Sequence, residues 1–280
     1  MSSVPDYSKL PVERVTVSRP SYSKPEDLRL CSADFFKKCQ WSWVGKGCLN
    51  AVEDQGKCCA CWAFVGAEAI SALYYLAWKQ SKPYKLDKLK PLSKQHAVDC
   101  MYPRLPTPKN IKYSKNTGCF PSHYNKFYQF ATVEGIYPDK LYPYVEEKRD
   151  CRCLPGGEKT KIRGFYKVGN VGKETVEKFI RQQPLSGCIS HVDSFRKHTG
   201  KDIYMGPSKK DIEDECVDKE NNQESEGRHA VLIVGYGKEN GIEYFLVKNS
   251  WGVNWGYWGY AKVKRSVISG LSYPVLDEAV

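Results

Sequence analysis

The sequence predicts an α+β protein in two lobes, helical first and β-rich second, with a cleft between them. Three observations lead there. After Cys61, apolar residues recur at Phe64, Ala67, Ile70, Leu73 and Leu76, the spacing of a helix with a wide buried stripe. The second half instead carries short apolar runs at 185–192, 230–236, 243–248 and 257–263, parted by glycine-rich turns. A chain of 280 residues is long enough for one large domain or two lobes with a sizeable core.

Taken in order, residues 1 to about 33 are rich in Pro, Ser and Lys and show no sustained periodicity, which predicts a flexible or loosely docked extension. From 35 to 51, Phe36, Trp41 and Trp43 alternate with Gly45 and Gly47, as in a packed irregular segment or short strand. The helix over 61–79 ends at Lys82-Pro83, and the lysine-rich stretch beyond it reads as a solvated face. Ser93 is placed to cap a short helix ending near Cys100. Pro103, Pro106 and Pro108 mark a loop, and Pro121 suits the first turn of a helix running to about Val133. A short helix over 175–182 precedes the strands. Residues 208–227 are acidic and polar, with too few large apolar side chains to hold a core, and predict a surface loop overhanging the strand that follows.

Composition excludes several classes. The net charge is +11, but Lys and Arg are scattered among acidic residues and no basic stripe forms, which argues against a nucleic-acid partner. No run is long and apolar enough to span a membrane. Twelve cysteines point to disulfides and an oxidising compartment, whereas the opening residues show no secretory leader. A metal or redox role for Cys58, Cys59 and Cys61 would want a second ligand pair at suitable spacing, and none is evident.

The chemistry concentrates in three places. Cys61 opens a helix, where the dipole favours the nucleophilic thiolate, although a cysteine in that position is about as often simply packed or disulfide-bonded. Gln55, six residues earlier, brings an amide donor of the kind that steadies a developing oxyanion. His229 stands at the mouth of an apolar strand, where a structural histidine is about equally expected. Asn249, followed by Trp251, offers an amide to orient that imidazole without neutralising its charge, beneath a sheltering indole.

These pieces, QGKCCACWAF (55–64), HAVDC (96–100), GC (118–119), YPY (142–144), QQPLS (182–186), HAVLIVGYG (229–237) and YFLVKNSWGVNWGYWGY (244–260), resemble the papain-family cysteine proteases, the group that includes the cathepsins. The resemblance covers roughly residues 35–275, with the helical lobe over roughly 46–166, the β-rich lobe over roughly 167–275, and residues 1–34 as an N-terminal extension. It implies a papain-like α+β fold with a β-barrel-like second lobe, an active-site cleft, and peptide-bond hydrolysis through a thioester acyl-enzyme without cofactor or metal.

Carried over by position, it implies Cys61 as nucleophile, His229 as general base and then acid, and Asn249 as orienter of His229. The Gln55 side chain and the Cys61 N–H would form the oxyanion hole, and Trp251 would shield the Asn249–His229 contact. Ser122 would offer its N–H to substrate. His123, Tyr124, Cys188, Ala230 and Gly270 would line the pocket for the second residue before the cut, a mostly small or apolar lining that favours an apolar or aromatic side chain. Two disulfides map, Cys58 with Cys119 and Cys100 with Cys151, leaving Cys31, Cys39, Cys48, Cys153 and Cys216 unassigned. Implied partners are protein or peptide substrates and cystatin-type inhibitors, acting on a monomer in a lysosome, vacuole or extracellular space, with a cytoplasmic location left open by the missing leader.

The departures from the family pattern are Cys59 in place of a glycine, Pro121-Ser122 in place of a Gly-Gly pair, and Arg228 in place of Asp or Asn before the histidine. Pro121 has no N–H to give, and a cation beside His229 disfavours imidazolium. They support an alternative, a catalytically impaired relative that binds peptides or protease inhibitors.

Overall fold

The computed structural model describes residues 34–81, 90–106, 111–213 and 227–276. The extension expected over the first 33 residues, the 214–226 part of the acidic loop, and Cys31 and Cys216 lie outside the described residues.

Six helices and eight strands are described: α1 Asp34–Lys37, β1 Trp41–Ser42, α2 Cys61–Ser81, α3 Lys94–Arg104, α4 Tyr124–Val133, β2 Gly164–Lys167, α5 Lys173–Gln182, β3 Leu185–Ser190, α6 Asp193–Arg196, β4 Ile203–Tyr204, β5 Arg228–Glu239, β6 Ile242–Lys248, β7 Tyr260–Lys264 and β8 Ser269–Val275. Ser93 caps α3 by accepting from the His96 N–H at 2.9 Å. The chain leaves helical geometry at Tyr102 (φ −112°, ψ 122°), because the following Pro103 pushes its neighbour toward extended backbone. Helix α4 starts later than the sequence suggests. Its cap is His123, whose Nδ1 accepts from the Asn125 N–H at 3.1 Å, so Pro121 precedes the helix rather than opening it.

Helix α2 differs in character from the amphipathic helix expected. Residues 62–72 are buried on every side, so its first half is a core helix and only its far end meets solvent. Gly66 lets α4 approach closely, since a Cβ there would sit 2.6 Å from the Phe127 ring. Trp62, Phe120 and Phe127 fill this layer without exposure, each contributing on the order of 2–3 kcal/mol of burial.

The strands form one sheet in the order β2-β8-β3-β5-β6-β7-β4, with β1 added against β5. The end strands β2 and β4 do not pair, so the sheet is open, and the β-barrel-like second lobe expected from the resemblance is corrected to an open, mixed sheet within an α+β fold. Closure would need an end-to-end ladder, and two-residue β4, joined parallel to β7, leaves none. Apolar side chains of α2, α3 and α4 pack with Leu232, Val234 and Leu246 into one core, and Val176, Ile180, Phe195, Val231, Ile233 and Val247 form a second. Alternate residues of β5 and β6 therefore serve opposite cores, as strand geometry requires.

Two disulfides, Cys58–Cys119 and Cys100–Cys151, tie the loops around α2 and α3. A buried ion pair joins the helices to the sheet. Lys248, the last residue of β6, reaches the Glu68 carboxylate on α2 and donates to the Asn50 and Ala51 carbonyls at 2.9 and 3.0 Å. Removing one partner strands the other charge in the core. Lys248→Met is expected to destabilise the fold by about 3–5 kcal/mol, with most of that loss recovered in the Glu68→Gln/Lys248→Met double variant. Urea unfolding of the three proteins measures this, and an unperturbed Lys248→Met would refute it.

Candidate active site

Cys61 is the first residue of α2, and its sulfur meets the sheet at once. The Ala230 N–H on β5 points at Cys61 Sγ from 3.5 Å, and the Trp62 N–H also bonds the sulfur. Both donors favour thiolate, but burial outweighs them and pushes the Cys61 thiol up to about 11.

His229 precedes Ala230 on the same strand and is 2% exposed. Its Nε2 lies 2.6 Å from Asn249 Oδ1, and the Ser250 N–H donates to the same oxygen at 2.8 Å. An amide oxygen only accepts, so the Nε2 proton belongs to this bond and Nδ1 keeps its lone pair. The Trp251 ring covers the contact at 4.2 Å between centroids and 30° between planes. Burial takes His229 down to about 3, against the Asn249 bond, which raises it, while His191 and Arg196 lower it further. Each group is thus disfavoured as a lone ion. A proton passed from Cys61 to His229 would leave the net charge of the site unchanged.

Gln55 is held at every polar atom that could fix it. Its Oε1 accepts from Ser250 Oγ at 2.7 Å, its Nε2 donates to the Cys58 carbonyl at 2.9 Å, and its N–H donates to the Ser250 carbonyl at 2.8 Å. Tyr144 donates to the Gln55 carbonyl at 2.8 Å. The bond to Cys58 uses one of the two amide protons.

The residues assigned to the substrate pocket also converge. Cys188 faces Ala230 across the β3–β5 ladder, and its sulfur lies 3.5 Å from the Tyr124 hydroxyl and 3.7 Å from His123 Nε2. Since His123 Nδ1 accepts from Asn125, its Nε2 carries the proton toward Cys188. Tyr124 is fully buried and donates to the Gly270 carbonyl. Ser122 is half-buried and its hydroxyl pairs with that of Tyr102.

Two departures read differently in three dimensions. The Arg228 guanidinium turns to Ser269 Oγ, and its charge bears on His123 and Tyr124. The cation expected beside His229 is therefore supplied by Arg196, not by Arg228. Cys59 is half-buried, its thiol is pushed up by burial, and it acts on Cys61 and Tyr144. Sequence reasoning missed Ser250, Lys248, His191 and Arg196. The first two flank Asn249 in the motif itself; nothing in the sequence marks the others. Among the described residues no group of three His, Cys, Asp or Glu is arranged to hold a metal ion, and no helix is long and apolar enough to cross a membrane.

Comparison with known proteins agrees with this geometry. The sequence pattern of the papain family cysteine proteases matches residues 37–273. Cysteine proteinase COT44 of Brassica napus is 30% identical over 229 residues, 81% of this chain and 60% of that relative. Papaya proteinase 4 of Carica papaya is 28% identical over 263 residues, 93% of this chain and 62% of that relative. The chain thus spans roughly three fifths of the curated relatives it matches. Among solved structures, a Carica candamarcensis cysteine protease in complex with E-64 aligns at TM-score 0.62 and 26% identity, covering 85% of this chain and 98% of that one. Digestive procathepsin L2 of Tenebrio molitor aligns at TM-score 0.64 and 27% identity, covering 84% and 67%. A pattern match running through most of the sequence, from before α2 into β8, settles the kinship: the chain belongs to the papain family of cysteine proteases.

Proposed function

We propose that the chain is a cysteine endopeptidase that cleaves peptide bonds through a thioester acyl-enzyme. The observation that carries this reading is the His229 Nε2–Asn249 Oδ1 bond, sealed under Trp251, with the Cys61 sulfur held against the next residue of the same strand. His229 takes the Cys61 proton as the sulfur attacks the scissile carbonyl, and the carbonyl electrons move onto oxygen. The second Gln55 amide proton and the Cys61 N–H steady that oxyanion. His229 then gives its proton to the leaving amine as the C–N bond breaks. A water, deprotonated by His229, attacks the thioester and frees the acid and the thiol. No step calls for a cofactor.

The substrates are proteins and peptides, and the small lining at Cys188 and Ala230 favours an apolar or aromatic side chain two residues before the cut. Cystatin-type inhibitors fit the same cleft, the protein acts as a monomer, and the two disulfides suit a lysosomal, vacuolar or extracellular setting. The lobe division is placed near residues 166 and 167, and the two lobes share a core across it, since Leu232, Val234 and Leu246 pack with α2, α3 and α4.

Hydrolysis of fluorogenic peptides tests the reading. Wild type is expected to turn over, while Cys61→Ala and His229→Ala lose at least about a thousandfold in kcat with the fold retained. Well-folded wild type without turnover would contradict it and favour the peptide-binding alternative. Ser250→Ala frees Gln55 Oε1 and is expected to lower kcat roughly tenfold with KM little changed. Profiling with a peptide library should place apolar residues first at the second position before the cut; a preference for charged residues there would overturn the pocket assignment.

A further inference from the structure

The site is backed by a layer that no step of the mechanism uses. It is built from the segment that follows β3. Ser190 pairs with Arg228 at the end of the β3–β5 ladder, and the His191 N–H then donates to the Gly227 carbonyl at 2.9 Å. This places the His191 ring 5.6 Å from the His229 ring at 31°, and 5.5 Å from Trp251. Arg196 closes α6 and returns, donating through Nε to His191 Nε2 at 3.1 Å. That bond fixes His191 as a neutral imidazole, because the nitrogen facing a guanidinium must offer a lone pair. Burial, with Arg196 beside it, holds the ring down to about 4.

The layer rests on a firm base. Phe195 is fully buried, 5.6 Å from Trp251 and 5.1 Å from Trp255, and its carbonyl accepts from Trp255 Nε1 at 3.2 Å. The Ser194 N–H is held by Asp211 Oδ1 at 3.1 Å, and Ser194 Oγ pairs with the Tyr204 hydroxyl at 2.9 Å. Arg196 is therefore held by a packed turn, even though its side chain reaches the surface.

We propose that Arg196, acting through His191, is a positioning residue that seats His229 against Trp251 and sets the charge balance of the Cys61–His229 pair. The inference rests on the proposed catalytic pairing of Cys61 with His229. The groups placed about His229 among the described residues are Asn249 and Trp251 from the turn after β6 and His191, with Arg196 behind it, from the segment after β3, while Cys61 of α2 takes the N–H of the next residue on β5, Ala230, with Cys59 and Cys188 acting on its sulfur. Arg228, its neighbour on β5, is turned to Ser269. Arg196 is the one full positive charge in that set. A fixed positive charge favours thiolate at Cys61 and disfavours imidazolium at His229. Both protonation steps of the pair are therefore moved toward acid. Removing the charge moves both toward alkali.

The pH dependence of Cys61 alkylation by iodoacetamide reads this without requiring peptidase turnover. Wild type, Arg196→Gln, Arg196→Lys, Arg228→Gln and His229→Ala are compared, with labelling assigned by mass spectrometry. Arg196→Gln is expected to shift both inflections of the rate profile upward by roughly half a pH unit or more, with the thermal midpoint little changed. Arg196→Lys, which keeps the charge, stays near wild type, and Arg228→Gln does not shift. If Arg196→Gln changes only the amplitude, or if Arg228→Gln shifts the profile as far, the inference is overturned while the catalytic reading stands. If wild type shows a single ordinary thiol titration that His229→Ala leaves unaltered, the catalytic reading fails and this inference falls with it.

Discussion

The pairing of Lys248 with Glu68 is the constraint on which the rest of the molecule turns. One partner ends the strand that delivers Asn249; the other sits two turns into the helix that begins at Cys61. Cys61 and Asn249 come from segments far apart in sequence, and neither has a reason of its own to find the other. A buried charge pair is a poor source of net stability, because desolvation offsets most of the attraction. Its value lies in register. A strand slipped by one residue would leave Glu68 unpaired in the core, so the arrangement that satisfies both charges is also the one that brings Asn249 to His229. The Asn50 and Ala51 carbonyls, which take the remaining ammonium protons, draw the segment leading to Gln55 into the same arrangement.

The second constraint is dryness. His229 and Asn249 are almost wholly buried, with an indole above them. Burial sets the direction of every shift at the site, raising the thiol and lowering the imidazole. Hydrogen bonds to the Cys61 sulfur from the Ala230 and Trp62 N–H groups, and from His229 to Asn249 Oδ1, oppose it without overcoming it. Charge separation is favoured here as a matched pair, which is what the proposed mechanism asks of a nucleophile whose proton must later be returned to a leaving group.

Much of this was legible in the sequence and some of it was not. The order helices then strands, the Ser93 cap and the Cys61, His229 and Asn249 segments follow from periodicity, capping chemistry and motif. The all-round burial of α2 did not, since a helix stripe in one sequence cannot tell whether a second layer will cover the opposite face. The openness of the sheet depends on the length and partner of β4, a two-residue strand with no pattern of its own. Arg228 shows the commonest failure. Adjacency in sequence placed its charge on His229, but successive side chains on a strand point to opposite faces, and the guanidinium went to Ser269. The cation that does act comes from Arg196, which reaches the site through a turn and a second histidine.

The most direct measurement compares two populations in one sample. The Cys61 thiolate is followed by ultraviolet difference absorbance against Cys61→Ser, and the His229 imidazolium by nuclear magnetic resonance of the labelled ring, across the neutral pH range. The account predicts that thiolate and imidazolium fractions match one for one between the acid and alkaline inflections of the pair, since burial disfavours each charge without the other. A thiolate that appears alone, over a ring already neutral, would contradict it.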